Sequence, residues 1–140
     1  MASVDQALRT RLINVTAVTN LTSTRIYPGK APVGVTYPYI TFSMISAAHQ
    51  RHMTNAAGLS EAVFQLDIWS NNRLEAVTVA EQVRLALDHW SGTSDSVVIR
   101  TISLLDERDE LLPATDASDH GASYRRQMDF SVWHQESVPS

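Results

Sequence analysis

The sequence contains no cysteine among its 140 residues. This excludes disulfide bonds, thiolate zinc sites and cysteine nucleophiles together. The chain also lacks any apolar run close to the roughly 20 residues that span a bilayer, and its N-terminus lacks the basic-then-apolar pattern of a secretion signal. We therefore expect a protein that is made in the cytoplasm and has no membrane partner.

Positive charge is scarce as well. Lys and Arg number 11 against 15 Asp and Glu, which gives a net charge of −4, and charged residues make up 19% of the chain. A protein that grips nucleic acid by its phosphates needs a clustered basic surface. The nearest candidate is Arg125-Arg126, but strand alternation would send these two side chains to opposite faces. We therefore do not expect nucleic-acid binding as the main activity.

Glycine is sparse too. The five glycines, at positions 29, 34, 58, 92 and 121, never reach the spacing of a phosphate-binding loop or a dinucleotide fingerprint. The chain also lacks a G-x-S-x-G nucleophile elbow and an H-E-x-x-H zinc motif. These absences argue against an enzyme. We therefore expect no catalytic residue, no cofactor and no metal site.

Two histidine-containing segments leave alternatives open. His49 and His52 are three residues apart, a spacing that places two imidazoles on one metal ion if the segment is helical. His120 lies near Asp116 and Asp119, and such a set can perform acid–base chemistry. Both segments are polar and lack hydrophobic periodicity, so we interpret both as solvated loops.

Two separated stretches carry nearly the same strand pattern, Gln65-Leu66-Asp67-Ile68-Trp69 and Gln127-Met128-Asp129-Phe130-Ser131-Val132-Trp133. Because side chains in a strand alternate between two faces, the apolar residues of both stretches share one buried side. The other side carries Gln65, Asp67, Trp69, Gln127, Asp129, Ser131 and Trp133. Aromatic residues are enriched in protein interfaces, so this face is predicted to be a contact surface.

The same face suggests an alternative function. If the two strands are adjacent, Asp67 and Asp129 can face each other as paired carboxylates, one of them with a raised pKa. The chain would then be a small ligand-binding or enzymatic α+β domain with a pocket on the open sheet face near these residues. An open sheet face is not a pocket, however, and the neighbouring Gln and Ser side chains favour interface hydrogen bonds.

Hydrophobic periodicity predicts the elements of the chain. Ser3 and Gln6 fit a capping box at the start of the first helix. The strongest periodicity belongs to a second, amphipathic helix with apolar positions Ala76, Ala80, Val83, Leu87 and Trp90. In chain order we predict a helix at 4–14, a helical turn at 16–21, an extended piece at 24–29, a strand from Pro38, a loop at 47–61, a strand at 62–70, a helix at 72–90, a strand at 97–105, a loop at 108–122 and a strand at 123–134.

The resulting order, helix, two strands, helix, two strands, predicts an α+β fold. Its economical packing is a four-stranded, mainly antiparallel sheet with two helices on one face. We expect a single domain over residues 1–134 and a C-terminal tail at 135–140. The charged segment Glu107-Arg108-Asp109-Glu110 is expected to be a solvated edge or a salt-bridge patch between subunits.

Four motifs occur in a recognisable order: Arg25-Ile26-Tyr27-Pro28, Pro38-Tyr39-Ile40, Gln65-Leu66-Asp67-Ile68-Trp69, and Tyr124-Arg125-Arg126 followed by Asp129-Phe130-Ser131-Val132-Trp133. So arranged, the chain resembles the tail-completion proteins of long-tailed bacteriophages, also called tail terminators or tail-to-head joining proteins. The resemblance runs from about Ala7 to Trp133. Prophage-derived particles and gene transfer agents use similar proteins.

The resemblance implies a structural virion protein at the head–tail interface of the tail. Its subunits would form a homo-oligomeric ring, with six-fold symmetry as the expected form, that caps the head-proximal end of the tail tube. The ring would contact the tail tube protein and the head–tail connector or stopper protein, and DNA would pass through its lumen without specific binding. Side-by-side subunits are expected to place at or near their contact surfaces the residues Gln65, Asp67, Trp69, Gln127, Asp129 and Trp133.

Overall fold

The computed structural model describes residues 3–50, 59–112 and 123–135. These residues form three helices and six strands. In chain order the elements are α1 (Val4–Ile13), α2 (Thr16–Thr22), β1 (Ile26–Pro28), β2 (Tyr39–Gln50), β3 (Leu59–Ser70), α3 (Arg73–Leu87), β4 (Gly92–Ser94), β5 (Val97–Leu112) and β6 (Ser123–Gln135).

The strands form one mixed sheet in the order β1-β2-β3-β6-β5-β4. β1 runs parallel to β2, and every other neighbouring pair is antiparallel. The predicted four-stranded sheet with two helices is therefore wrong, since the described residues form six strands and three helices. Three-residue strands such as β1 and β4 are too short to show the two-residue period by which strands are recognised in a sequence. The third helix, α2, lies where the sequence predicted only a helical turn at 16–21.

Two predicted loops are also partly wrong. β2 continues to Gln50 and β3 begins at Leu59, where a loop was predicted at 47–61. β5 continues to Leu112, into the predicted loop at 108–122. Residues 47, 48 and 108–111 are exposed, and the buried residue at the start of β3, Ser60, is polar, so these segments lack the apolar–polar alternation that marks a half-buried strand in a sequence. The remaining parts of both predicted loops lie outside the described residues.

The helices cover one face of the sheet. α3 packs over β3, β5 and β6, while α1 contacts β1 and β4. On this side the apolar residues of the repeated pattern are buried, as predicted: Leu66, Ile68, Met128, Phe130 and Val132. Burying a large apolar side chain contributes roughly 1.5–3 kcal/mol. This core therefore fixes which face of the sheet the helices take.

Side-chain caps start both longer helices. Ser3 Oγ accepts a 3.3 Å hydrogen bond from the Gln6 backbone N–H, and Gln6 Oε1 accepts a 3.2 Å bond from the Ser3 N–H, which confirms the predicted capping box. Asn72 Oδ1 accepts a 3.2 Å bond from the Glu75 N–H at the start of α3. Trp90 lies beyond the end of α3, at the margin of the core.

Candidate interaction face

The side of the sheet opposite the helices is polar and aromatic, and we call it the open face. Along β3, side chains alternate between buried on the helix side and half-buried on the open face. The cross-strand register arranges the open face in rows over β2, β3, β6 and β5. In strand order these rows are Tyr39, Trp69, Arg125, Glu110; Thr41, Asp67, Gln127, Arg108; Ser43, Gln65, Asp129, Asp106; Ser46, Val63, Ser131, Ser103; and Ala48, Glu61, Trp133, Thr101.

The first row is ordered by ring stacking and charge. Tyr37 and Tyr39 stack with ring centroids 5.6 Å apart, and Tyr39 stacks on Trp69 at 6.0 Å. On the other side of Trp69 the Arg125 guanidinium lies 5.4 Å from the ring centroid. Arg125 also forms an ion pair with Glu110. These contacts, which we call the aromatic row, hold a continuous surface across four strands.

The predicted carboxylate pair is not face to face. β3 and β6 are adjacent, as a pair requires, but Asp67 lies opposite Gln127 and Asp129 lies opposite Gln65. Burial raises the pKa of the Asp67 carboxyl, while hydrogen bonds from Gln65 and Gln127 act in the other direction. Gln65 Nε2 donates to Asp67 Oδ1 at 3.4 Å. Each carboxylate therefore meets an amide across the strands.

Asp129 is tied to β5 through one arginine. Arg108 Nη1 donates to Asp129 Oδ2 at 3.3 Å and to Asp106 Oδ2 at 2.9 Å, and Arg108 Nε donates to Gln127 Oε1 at 2.8 Å. Among the described residues, Asp129 Oδ1 and Arg125 Nε are buried without a hydrogen-bond partner. The guanidinium of Arg108 thus offsets the charge of two carboxylates on the open face.

Trp133 lies at the far end of the open face, in one row with Glu61 and Thr101. It is half-buried and, within the described part of the chain, it stacks on no other aromatic ring. Its neighbours are polar: Ser131 Oγ donates a 2.5 Å hydrogen bond to Glu61 Oε2. Trp133 is therefore less engaged by its own chain than Trp69.

The charged segment of β5 pairs within the chain. Arg126 Nε donates to Glu107 Oε1 at 2.9 Å, and Arg126 Nη1 donates to Asp109 Oδ1 at 2.6 Å. Arg73 of α3 joins Asp109 at 3.2 Å. These pairs lie on the helix side, whereas Arg125 lies on the open face, so the two adjacent arginines do point to opposite faces. The segment is a cross-strand ion-pair network that ties β5 to β6.

The alternative metal-binding and acid–base interpretations of the histidine segments concern residues that lie largely outside the described part of the chain. The described residues contain no group of three or more potential metal ligands. His52 and the set His120, Asp116 and Asp119 lie outside the described residues. Two cavities of about 550 and 350 Å³ lie beside α1, and neither is lined by Asp67 or Asp129. A search of the described helices finds none that is long and apolar enough to cross a membrane.

Sequence reasoning missed several residues that complete the open face. Tyr39 and Arg125 flank Trp69, and Arg108 bridges Asp129 and Asp106. These residues come together only through the pairing of β2 with β3 and of β6 with β5. The strand pattern shows which residues share a side of one strand, but it does not specify which strands are neighbours.

The described residues thus define a strand-rich subunit with helices on one side of its sheet and an open polar and aromatic face on the other. The family model of tail completion protein gp17 matches residues 6–135, and the chain belongs to this family. It is therefore a structural protein of a phage-type tail. This confirms the resemblance seen in the motifs. Among curated proteins, none matches this chain.

Solved structures share the fold, and 29 of their chains match. One, from the virion of a native gene transfer agent particle, aligns with a TM-score of 0.72 and 15% identity, over 93% of this chain and 92% of that chain. Another aligns with a TM-score of 0.53 and 16% identity, over 100% of both chains. At such low identity the likeness shows a common fold.

Proposed function

We propose that this protein is a tail terminator. Identical subunits form a six-fold ring that caps the head-proximal end of the tail tube and joins it to the head–tail connector or stopper protein. The observation that carries this proposal is the ordered, half-exposed open face on a chain of the tail completion family. The protein acts by binding partners, without catalysis.

In this proposal the open face is a contact surface of the assembled tail. Its contact residues are those of the repeated strand pattern, Gln65, Asp67, Trp69, Gln127, Asp129 and Trp133. Aromatic side chains supply much of the binding energy of interfaces, and a polar surround adds hydrogen bonds that fix orientation. The aromatic row and the neighbouring amides supply both features on one surface.

The charge of the open face supports passage of DNA through the ring. In the rows described above, the carboxylates of Glu61, Asp67, Asp106, Glu110 and Asp129 outnumber the guanidinium groups of Arg108 and Arg125. Binding of DNA through its phosphates requires the opposite balance. Those parts of the open face that stay exposed in the ring would therefore not hold DNA by its phosphates.

The experiment is to measure the mass of the purified protein by light scattering over a range of concentrations, alone and with tail tubes and connectors. A closed ring, or a monomer that becomes a ring at the ends of tubes, supports the proposal. A stable monomer that binds neither tubes nor connectors contradicts it. Electron microscopy of the mixtures then shows whether bound protein sits at the tube end.

A further inference from the structure

The outer sides of the long strands β2 and β5 are covered by the short strands β1 and β4 over only part of their length. β1 pairs with β2 only from Ile40 to Phe42, and β4 pairs with β5 only from Val97 to Ile99. Within the described ranges, no strand lies against the outer edge of β2 beyond Phe42. We call residues 43–50 the β2 edge.

The outer edge of β5 is closed a little further, by the turn that follows α3. His89 N–H donates a 2.7 Å hydrogen bond to the Ile102 carbonyl, and Leu104 N–H donates a 3.0 Å bond to Asp88 Oδ1. From residue 105 to residue 112, no described strand lies against this side of β5. We call residues 105–112 the β5 edge.

The composition of the β2 edge indicates that something covers it. All side chains from 43 to 48 are exposed and uncharged, and Met44 and Ile45 are 41% and 51% exposed. Native proteins normally protect such edges with charged residues or proline, because an unpaired apolar strand recruits other strands. Leu105, exposed at 56%, starts the β5 edge.

We infer that the β2 edge of one copy pairs with the β5 edge of the next copy, so that the sheet continues from subunit to subunit around the ring. This inference rests on the proposed function, which supplies the ring. β2 and β5 run in opposite directions within the sheet. Rotation about a ring axis preserves the strand directions, so β2 of one copy and β5 of the next copy pair as antiparallel strands. Because this contact joins two different edges head to tail, repeating it can close a ring.

The positions of the two edges agree with the geometry of a closed sheet. Within one subunit, Ser43 and Asp106 lie in the same row, and from there the two edges extend in opposite directions along the sheet. Neighbouring copies must therefore be staggered along the strands. Strands in a closed barrel tilt by about 35–45°, and four strands span about 19 Å, so the expected stagger is about 13–19 Å, or about four to six residues.

A stagger of about four residues, the lower end of that range, brings the edges into register. It aligns Ser43, Ser46 and Ala48 of one copy with Glu110, Arg108 and Asp106 of the next copy, in that order. All of these residues belong to open-face rows, so the alternation of faces is preserved across the contact.

A cysteine pair tests this contact, because the chain has no cysteine of its own. The double variant Ala48→Cys with Asp106→Cys is oxidised under conditions in which light scattering shows assembly, alone or on tail tubes. Within one copy the two positions are about 14 Å or more apart, across three strand spacings, beyond the roughly 7 Å limit for a disulfide. We expect a ladder of linked copies that ends at the ring and disappears with reductant, whereas each single variant gives at most dimers.

Charge substitutions at Ala48 provide an independent readout. Ala48→Lys faces Asp106 of the next copy and should lower the midpoint concentration of assembly roughly two- to fivefold, while Ala48→Glu should raise it by a similar factor. Assembly without cross-linking, and without opposite effects of these two variants, overturns the edge contact and leaves the proposed function standing. Wild-type protein that stays monomeric alone and on tubes overturns both.

Discussion

Trp69 Nε1 donates a 3.0 Å hydrogen bond to Oγ1 of Thr41 on the neighbouring strand. Thr41 is almost fully buried, although it lies on the open face. The bond crosses diagonally between two rows, because Trp69 pairs with Tyr39 and Thr41 pairs with Asp67. It therefore fixes the orientation of the indole ring and ties Trp69 to its own subunit.

Replacing Thr41 by Val should destabilise the subunit. The valine has nearly the same shape but leaves the indole N–H without its acceptor, which costs about 1–3 kcal/mol of unfolding free energy. Urea unfolding followed by tryptophan fluorescence measures this loss. Thr36→Val, at an exposed position outside the sheet, serves as the control and should change little. Equal stabilities of the two variants would contradict the role given to the bond.

A double-mutant cycle isolates the bond between Thr41 and Trp69. Trp69→Phe removes the donor and keeps an aromatic ring for stacking on Tyr39. If the hydrogen bond carries the effect, the double variant should lose less unfolding free energy than the sum of the two single variants, by about 0.5–1.5 kcal/mol. Strict additivity would show that the two side chains act independently.

Trp133 lacks such ties, so its substitution should act mainly on assembly. We expect Trp133→Ala to raise the midpoint concentration of ring formation about tenfold, the effect of losing roughly 1.4 kcal/mol of contact energy. Light scattering measures the midpoint, and urea unfolding separates this effect from a loss of subunit stability. Leu85→Ala, exposed at 60% on the outer side of α3, is the control. A Trp133 variant with unchanged assembly and unchanged stability would remove this residue from the interface.

Most of the correct predictions about the open face came from the alternation of side chains along each strand. It placed Leu66 and Met128 on the helix side and left Asp67, Trp69 and Asp129 for the other face, as the structure has them. Alternation is a property of one strand, so it needs no knowledge of neighbours. The number of strands and their order depend on contacts between segments far apart in sequence, and there the prediction was wrong.

The extended ends of β2 and β5 show a second limit of sequence reasoning. Residues 47 and 48 are exposed, and the carboxylates at positions 107, 109 and 110 of β5 pair with Arg125, Arg126 and Arg73 from other elements. Neither segment buries an apolar face within the subunit, so neither shows a strand period. The aromatic row was missed for a related reason, because it assembles residues from four strands.

The start of α3 was predictable from local chemistry, and its cap can be tested directly. Asn72→Ala removes the acceptor of the Glu75 N–H and should cost about 1 kcal/mol of unfolding free energy. Asn71→Ala, at the preceding exposed position, has no place in the cap and should cost less. Urea unfolding compares the two variants. A larger loss for the Asn71 variant would show that the helix start has been placed one residue too late.

Two aspartates should give the subunit opposite responses to pH. Burial raises the pKa of Asp67, so its contribution to stability is full below the unfolded pKa of about 3.9 and is lost as pH rises through the folded pKa. Asp67→Asn should therefore be more stable than the wild type at neutral pH, and the difference should vanish near pH 4 and below.

Asp109 should behave in the reverse manner. A hydrogen bond from Arg126 lowers its pKa, so its contribution is present above about pH 3.9 and is lost as pH falls through the folded pKa. Asp109→Asn should be less stable than the wild type at neutral pH, by a modest amount because the pair is solvent-screened, and the two should converge in acid. Urea unfolding of both variants and the wild type between about pH 3 and pH 7 measures these curves. If both variants were less stable than the wild type at neutral pH, the charge of Asp67 would be stabilised in the folded state, contrary to the effect of its burial. If both were more stable, the ion pair of Asp109 would not stabilise the subunit.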